Sequence, residues 1–409
     1  MPETNVKERI CVLLTGGTIC SVPNSNGKNT SDAGQASPEL INHFLNKTDS
    51  KFRIKDLFDT VSLKTDILSE NMTTDVWYEI LEIFRTKIIP GNYKGVIVLH
   101  GTDTLAYTSS FLSMALAGIN IPVCMVSAQL RLGRYVNDEW IPDEKTNGYA
   151  NFKAAVELIM NGIAPNVYAV YRNEANEYNG LHEPGELLVH YGVHLLQCPN
   201  GSNNFHSRDE MLVKDKNNAI LPICSKAPEN IGSEKKSGFS EGPGYYLKVK
   251  DNCSGVCLIR PFTGLDYSEI KIEGKKIVIH GTYHSESVCI GRSIYTKNEE
   301  SVEDDENSRD DFHLDEIIEI DRNYSILYLL DKCANNNIPV FLAPCDKKAA
   351  AYGTTKNATE RGAKTLKGIT LEAAYAKAVL GCFLGIQADE FADFMSKPIN
   401  DEKPEEDPA

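Results

Sequence analysis

Two short runs of glycine and hydroxyl side chains each follow an apolar stretch typical of a buried strand. The first, Thr-Gly-Gly-Thr at residues 15–18, ends one such stretch, and His-Gly-Thr-Asp-Thr at residues 100–104 ends another. Glycine lets the chain turn sharply and expose backbone N–H groups, which can hold an oxyanion. A threonine hydroxyl at such a turn can act as a nucleophile once a neighbour accepts its proton. The two runs therefore predict a site for nucleophilic chemistry around Thr18 and Thr102.

A third polar run, Ser-Glu-Asn at residues 69–71, lies between an extended segment and a helix. Capping of that helix needs only Thr73 or Thr74, so the run is surplus to local structure. Simpler interpretations exist for the other two runs. Residues 15–18 can form a plain or phosphate-binding tight turn, and Thr102 or Asp103 can cap the following helix.

The elements that must position these runs alternate between strands and helices. Continuous apolar strands separated by helices indicate a parallel sheet covered on both faces. In such a sheet, ligands bind beyond the carboxyl ends of the strands, where all three runs fall. For the first half we predict strands at 10–14, 61–68, 95–99, 122–127 and 167–171, and helices opening at Ser37-Pro38 and covering 74–86, 103–116 and 148–160. For the second half we predict strands at 256–260, 276–280 and 339–343, and helices at 324–335 and 370–384.

Composition bounds the class of protein. A chain of 409 residues with 42% hydrophobic and 24% charged residues is typical of a soluble protein of two domains. The net charge of −15 argues against nucleic acid as the main partner. No apolar run is long enough to span a membrane, and the start lacks the apolar core of a signal peptide, so we expect a cytoplasmic protein. The 11 cysteines are scattered, which predicts reduced thiols and no metal site. We also expect no cofactor.

Changes in composition predict the domain limits. We expect an N-terminal domain with the catalytic pocket at 1–210, a polar linker at 211–245 and a C-terminal α/β domain at 246–395. The acidic run at 297–311 is predicted to be a solvated insertion. Residues 396–409 are predicted to be a disordered acidic tail.

The three runs, in this order, resemble signatures of the bacterial-type L-asparaginase/glutaminase family. Residues 352–354 and 368–377 resemble sequence motifs of that family's C-terminal domain, so the resemblance covers about residues 8–390. It implies a two-domain fold with a larger N-terminal, mainly parallel sheet flanked by helices and a smaller C-terminal α/β domain. It also implies hydrolysis of the side-chain amide of L-asparagine, in some members L-glutamine, through an acyl-enzyme. For partners, the resemblance implies a homodimer or homotetramer whose substrate is an amino-acid amide. It implies no binding of nucleic acid or of a membrane.

Carried over residue by residue, the resemblance implies roles for the three runs. Thr18 is the implied nucleophile, and Thr102, assisted by Asp103, is the second catalytic hydroxyl. Ser69, Glu70 and Asp103 are implied to hold the substrate, beside the glycines of the two turns, Gly17 and Gly101.

The chain departs from the family pattern in the groups that activate these threonines. The family's lysine is missing, because no lysine occurs from residue 154 to 213 and Leu187 or Leu188 falls near its place. Glu186, His190 and His194 lie nearby, and His190 is the candidate substitute base, although a structural histidine is the simpler interpretation.

Three further departures concern the rim of the site. The loop after Thr18 lacks the family's tyrosine and has the composition of a mobile lid. Residues 130–145 are an insertion, after which Asn147 replaces a usual aspartate and Asn151 is retained. His284 and Glu286, in the second half, are weaker candidates, because related enzymes use that region at a neighbouring subunit's site.

Three functions are consistent with this pattern. The first is an asparaginase-type amidohydrolase. The second is the amide-hydrolysing subunit of a tRNA-dependent amidotransferase, whose archaeal form the wording around Ser69 also resembles. The third is a binding protein that kept the pocket and lost the base.

Overall fold

The computed structural model describes residues 8–23, 29–31, 33–47, 56–137, 139–174, 187–208, 211–214, 220–223, 244–252, 255–292, 319–345 and 353–402. The chain divides into two compact units, residues 1–252 with 399–401 and residues 253–398 with 402–409. None of the helices within these ranges is long and apolar enough to cross a membrane.

The first unit is built on one large mixed sheet. Its described strands are β1 Ile10–Gly16, β2 Ser21–Pro23, β3 Asn29–Ser31, β4 Phe58–Ile67, β5 Gly95–Leu99, β6 Val123–Val126, β7 Gly133–Val136, β8 Glu139–Pro142, β9 Val167–Arg172, β10 Leu187–Tyr191, β11 Leu195–Leu196, β12 His206–Ser207, β13 Met211–Lys214 and β14 Ile220–Ile223. Eight of them form a sheet in the order β14-β13-β10-β9-β6-β5-β1-β4. Five neighbouring strands, β9, β6, β5, β1 and β4, pair in parallel, whereas β10, β13 and β14 each pair antiparallel with their neighbours. The predicted α/β class with a mainly parallel sheet is confirmed.

Helices cover this sheet. They are α1 Ala33–Lys47, α2 Thr74–Ile83, α3 Ile89–Gly91, α4 Leu105–Ala115, α5 Gly148–Met160 and α6 Tyr245–Lys248. A π-helical turn over Phe84–Ile88 joins α2 to α3. The prediction that α1 opens at Ser37-Pro38 is wrong. The helix begins at Ala33 with Pro38 inside it, and its buried Ala36 and Leu40 show that packing against the core extends it backwards.

The apolar strands form the centre of the core. Every residue of β5 and β6 is buried, as the continuous apolar runs predicted. One cluster joins side chains of α1 and α5 to β1, β5, β6 and β9 through residues such as Phe44, Phe152 and Val126. This close packing fixes the positions of β1 and β5 and therefore of the turns that follow them.

The second unit contains a smaller, fully parallel sheet. Its described elements are β15 Val256–Ile259, β16 Ile277–Gly281, α7 Ile326–Ala334, β17 Val340–Cys345, α8 Gly353–Glu360, β18 Lys364–Lys367, α9 Leu371–Leu384 and α10 Phe391–Ser396. The strand order is β15-β16-β17-β18. The amphipathic α7 packs Leu329, Leu330 and Cys333 onto the sheet around Val278 and Leu342.

The predicted linker at 211–245 contains sheet structure. β13 pairs with β10, and β14 pairs with β13, so both extend the large sheet of the first unit. Two short apolar runs, Met-Leu-Val and Ile-Leu-Pro-Ile, lie within this polar segment. Backbone pairing at a sheet edge needs few apolar side chains, which is why average composition concealed these strands. Residues 224–243 of the predicted linker, and the acidic run at 297–311, lie outside the described residues.

The prediction of a disordered tail from residue 396 is wrong as far as residue 402. In the first unit, the 1%-exposed Asn400 donates from Nδ2 to Ser113 O (3.1 Å) and Asn166 Oδ1 (3.0 Å). The carbonyl oxygen of Asp401 accepts a hydrogen bond from His194 Nε2 at 2.7 Å. These tertiary bonds order a segment whose composition is typical of disorder. Residues 403–409 lie outside the described part of the chain.

A buried ion pair anchors the end of this segment within the second unit. Lys377 Nζ lies 2.5 Å from Glu402 Oε1, and both side chains are 0% exposed. Lys377 also donates to the carbonyl of Lys397. Burial lowers the pKa of Lys377, and the Glu402 carboxylate opposes that shift. Removing either partner would leave an uncompensated buried charge.

Candidate functional site

The two glycine turns meet at the carboxyl ends of β1 and β5, which are parallel neighbours. A Cβ atom added to Gly17 would lie 2.3 Å from both the Cα and the N of Gly101, so the two backbones are in direct contact. Gly17 has a φ of +81°, which glycine adopts without strain, and its N–H donates to Ile67 O at 2.8 Å. Thr18 and Thr102 directly follow these two glycines. The structure therefore brings the first two polar runs together, as the sheet topology predicted.

The two threonines of the first turn have different roles. Thr15 is buried, and its hydroxyl donates to Leu99 O at 2.8 Å, so it links β1 to β5. Thr18 is half-buried and begins a short 3₁₀ turn that is closed by a hydrogen bond from Cys20 N to Gly17 O. Within the described part of the chain, the Thr18 hydroxyl has no hydrogen-bond partner. This leaves the hydroxyl and the first N–H groups of the turn available to a ligand.

The third run joins the same site through Ser69, which is buried. Ser69 Oγ donates to Asp103 Oδ2 (3.2 Å) and accepts from Asp103 N (3.2 Å). The Thr104 hydroxyl donates to Ser69 O at 2.9 Å, and a Cβ on Gly101 would lie 2.3 Å from Ser69 Oγ. The exposed Glu70 has no hydrogen bond to any described residue. Of the implied site residues, Gly17, Ser69, Gly101 and Asp103 are thus in contact, with Thr18 and Thr102 adjacent.

Helix capping does not account for the second run. Thr104 precedes α4, and no side chain makes a capping hydrogen bond there. The carbonyl of Thr102 accepts from Leu105 N at 3.4 Å, but its hydroxyl has no partner among the residues described. The Thr102 hydroxyl and the exposed Asp103 carboxylate are therefore not needed by the local backbone.

A buried network, which the sequence did not reveal, fixes the second turn. His100 Nδ1 lies 2.7 Å from Gly101 O, an acceptor, so this nitrogen carries the proton. His100 Nε2 then accepts from the Thr108 hydroxyl (3.0 Å), which accepts in turn from Trp77 Nε1 (3.0 Å). Burial lowers the pKa of His100 to about 4, although its contact with Gly101 O and the charge of Asp103 oppose the shift. The ring is neutral at pH 7 and both nitrogens are occupied, so His100 positions the turn and does not act as a base.

A second positioning contact was also missed. Gln197 Nε2 donates to Thr102 O at 3.1 Å. Gln197 follows β11, which pairs with β12, and the loop between these strands is held by Cys198 Sγ, which donates to Ser202 O and Asn204 O. None of the predicted site residues lies in this loop. Its reach to Thr102 depends on a tertiary contact.

Asn147 and Asn151 have structural roles. Asn151 donates to Ser127 O (2.9 Å) and accepts from Arg172 N (2.8 Å). Asn147 donates to Arg172 O (2.7 Å) and accepts from Gln129 N (3.0 Å). Each amide uses both its donor and its acceptor, and together they join the carboxyl ends of β6 and β9. An aspartate at position 147 could not make the donating contact.

No substitute for the missing lysine bonds to either threonine in the described chain. Leu187 lies on β10 and packs on the apolar cluster of the first unit, and Leu188 is fully buried. His190 is buried with Nδ1 2.8 Å from Ser207 Oγ, and His194 bonds to the backbone carbonyl of Asp401. The hydrogen bonds of Thr102 include neither histidine. Glu186 lies outside the described residues.

The remaining candidates lie in the second unit after β16. His284 is exposed, and Glu286 has a φ of +61° and accepts from the Thr355 hydroxyl through its carbonyl at 2.7 Å. Across the described ranges, no group of three or more acidic, histidine or cysteine side chains is arranged to hold a metal ion.

The chain is similar to known proteins in sequence and in fold. Residues 9–183 match the model of the asparaginase N-terminal domain. The thermostable L-asparaginase from Thermococcus kodakarensis superposes with a TM-score of 0.61 at 18% identity, over 97% of this chain and 99% of that chain. L-asparaginase I from Vibrio cholerae gives a TM-score of 0.58 at 17% identity, over 97% and 99%. Residues 9–183 are therefore similar to the asparaginase N-terminal domain, and the chain has the fold of the L-asparaginases.

Two relatives that are similar in sequence are named as amidotransferase subunits and not as asparaginases. A glutamyl-tRNA(Gln) amidotransferase subunit from Saccharolobus islandicus is 33% identical over 163 residues, which is 39% of this chain and 34% of the relative. The protein of the same name from Methanosphaera stadtmanae is 28% identical over 182 residues, 43% of this chain and 36% of the relative. The chain spans about a third of the length of these relatives.

Proposed function

We propose that the chain hydrolyses the side-chain amide of L-asparagine, or of L-glutamine, to the acid and ammonia. One observation carries the proposal. Two threonine hydroxyls without partners among the described residues follow touching glycines, beside the hydrogen-bonded pair of Ser69 and Asp103. A nucleophile, backbone donors and a carboxylate for an amino group are what this reaction requires.

The proposed reaction proceeds through a covalent ester. Thr18 Oγ attacks the amide carbon, and the N–H groups at the start of its turn stabilise the negative charge on the oxygen. The C–N bond then breaks, and the proton that the Thr18 hydroxyl gave up is transferred to the leaving nitrogen, which departs as ammonia. Water then cleaves the ester, releases the acid and restores the hydroxyl. The exposed Asp103 carboxylate receives the substrate's α-ammonium group, and Ser69, Glu70, Gly17 and Gly101 line the rest of the site.

Activation of the hydroxyls is where this chain differs from its family. A threonine hydroxyl is a weak nucleophile without a base, and in the sequence the apolar Leu187 or Leu188 falls near the lysine's place. Asp103 follows Thr102 directly, so we assign it as the acceptor that assists Thr102. A carboxylate is a weaker base than a neutral lysine, and we therefore expect slow turnover.

A second candidate function rests on the curated relatives. Their shared name is that of an amidotransferase subunit, and the same site would then release ammonia from glutamine for a partner protein. The chain matches only about a third of those relatives. Copurification of the chain with a tRNA-binding partner, and ammonia release that depends on it, would favour this function.

The sequence also supports a location, an oligomeric state and a substrate for this function. The protein is a cytoplasmic homodimer or homotetramer that takes a free amino-acid amide and uses no cofactor. The catalytic pocket lies in the N-terminal domain.

The test is ammonia release from L-asparagine and L-glutamine by the wild type, Thr18→Val and Thr18→Ser. Valine matches the shape of threonine without the hydroxyl, so release should fall by about 10³-fold or more, whereas serine should retain measurable activity. Binding of L-aspartate by calorimetry should persist in Thr18→Val. A wild type that binds these amino acids and releases no ammonia would be a binding protein, and the proposal would be wrong.

A further inference from the structure

The hairpin formed by β7 and β8, within the insertion at 130–145, has one face that packs on the protein. Tyr135 and Trp140 are opposite each other, with ring centres 5.0 Å apart. Trp140 Nε1 donates to the Tyr149 hydroxyl (3.3 Å), and the Tyr135 hydroxyl donates to Glu39 Oε1 (2.8 Å). Successive side chains of a strand point to opposite faces, so the alternate residues form an outer face.

The outer face consists of Arg134, Val136, Glu139 and Ile141. Arg134 is opposite Ile141, and Val136 is opposite Glu139. All four side chains are exposed, with Val136 at 42% and Ile141 at 41%. Neither Arg134 nor Glu139 forms an ion pair with another described residue. Two opposite charges and two large apolar groups thus lie on one exposed face.

The insertion that contains this hairpin holds four of the eight large apolar side chains that are exposed among the residues described. They are Leu130, Tyr135, Val136 and Ile141, of which Val136 and Ile141 belong to the outer face. Apolar side chains clustered in this way commonly mark an interaction site. The question is which partner complements them.

The arrangement of the four side chains is complementary to itself. The charged residues occupy one diagonal of the face, and the apolar residues occupy the other. A twofold axis along the apolar diagonal brings Arg134 of each copy onto Glu139 of the other, while Val136 and Ile141 each meet their own counterpart. An axis along the charged diagonal would instead pair like charges, and an axis parallel or perpendicular to the strands would place charges on apolar groups.

The favoured axis also gives an allowed packing of sheets. The four positions form a rectangle of roughly 5 by 7 Å, so reflection of the strand direction across a diagonal turns it by about 70°, which is nearer to the orthogonal than to the aligned packing of stacked sheets. Closed twofold contacts of this kind, in which the same patch occurs on both subunits, are the commonest in homo-oligomers.

We propose that the outer face of the β7–β8 hairpin binds a second copy of this chain about a twofold axis. The surface is small compared with the roughly 1,200 Å² of a stable interface. A dimer formed through it alone is therefore weak, and the contact adds to any other in a larger oligomer. The inference does not depend on the proposed function.

Charge reversal tests the pairing directly. Arg134→Glu and Glu139→Arg should each weaken self-association by about tenfold or more, because the axis repeats the repulsion at two places. The double variant restores opposite charges and should recover wild-type association. Lys145→Glu, the same charge change as Arg134→Glu at an exposed residue outside the strands, is the matched control. Sedimentation equilibrium at about 0.15 M salt, which limits repulsion between the acidic chains, measures the dissociation constants.

If other surfaces already hold the protein in an oligomer, a cross-linking experiment can still detect the hairpin contact. Val136→Cys places a thiol opposite its own counterpart, so a short bismaleimide should trap a covalent dimer, whereas Lys145→Cys should give only the background of the native cysteines. Thermal unfolding confirms that each variant is folded. No cross-linking above that background, or single charge reversals that the double variant does not rescue, would overturn the proposal.

Discussion

A single methyl group at Gly101 should disrupt the candidate site more than its size suggests. In Gly101→Ala the new Cβ would lie 2.3 Å from Ser69 Oγ, 2.6 Å from Ser69 Cβ and 3.1 Å from Gly17 Cα. Non-bonded carbon contacts are about 3.5–4.0 Å, so Ser69 must move by roughly 1 Å. Insertion of an extra methyl group into a packed site typically costs about 1–3 kcal/mol of unfolding free energy.

The effect on activity should exceed the effect on stability. Ser69 is hydrogen-bonded to Asp103, so displacement of one shifts the other. A misplacement of about 1 Å in a catalytic site can cost about 10²-fold in rate. We therefore expect Gly101→Ala to lower ammonia release by about that factor, while the thermal unfolding temperature falls by about 2–4 °C per kcal/mol lost.

The assay compares Gly101→Ala with Gly353→Ala and with a double variant. Gly353 has no atom within 4 Å of an added Cβ, so its substitution should leave both properties unchanged. Ser69→Gly removes both atoms that clash, and the double variant Ser69→Gly/Gly101→Ala should be more stable than the sum of the single effects predicts. A Gly101→Ala protein as stable and as active as the wild type would refute the close contact of the two turns.

Three more predictions concern a buried histidine, a side-chain amide and a buried ion pair. Burial lowers the pKa of His100 from 6.5 to about 4, so the unfolded chain binds a proton more readily than the folded chain. The free energy of unfolding should therefore fall by up to about 3 kcal/mol as the pH drops from 6.5 to 4. Urea unfolding at several pH values measures this dependence of stability on pH, which should be shallower in His100→Gln. Gln197→Leu and Gln387→Leu each remove one amide-to-carbonyl bond, of 3.1 and 2.8 Å, and neither should cost more than about 1 kcal/mol of stability. Only Gln197→Leu should lower kcat for ammonia release, because only that bond is made to Thr102. Equal kcat values for the two variants would contradict this role. Lys377→Met should destabilise the second unit by about 3–5 kcal/mol through the unpaired buried carboxylate, and equal denaturation midpoints for variant and wild type would show that the pair is not buried in solution.

Local patterns predicted much of the first unit. The apolar runs at residues 95–99 and 167–171 are strands of the large sheet, and the amphipathic segment at 148–160 is α5 as predicted. These elements have strong periodicity, so local preference and tertiary packing agree. The starts of elements were less predictable, as α1 shows, because burial of Ala36 outweighed the usual preference for proline in the first turn.

Polar segments were the least predictable. β13 and β14, and the ordered segment around Asn400, have the composition of linkers or tails. Their order depends on backbone pairing with β10 and on amide bonds to Ser113 and Asn166. Sequence composition does not reveal the partners of Asn400, which are more than 200 residues away in the chain.

The sequence was sufficient to place threonines, glycines and carboxylates at the ends of parallel strands, because apolar periodicity locates a strand and glycine marks its turn. Only the tertiary structure decided what each group does. It assigns Thr15 to strand pairing, occupies both nitrogens of His100 through Thr108 and Gly101, and brings Gln197 to Thr102. The physical reason is that a hydrogen bond needs a partner at about 3 Å, and for these side chains the partner is usually distant in the chain.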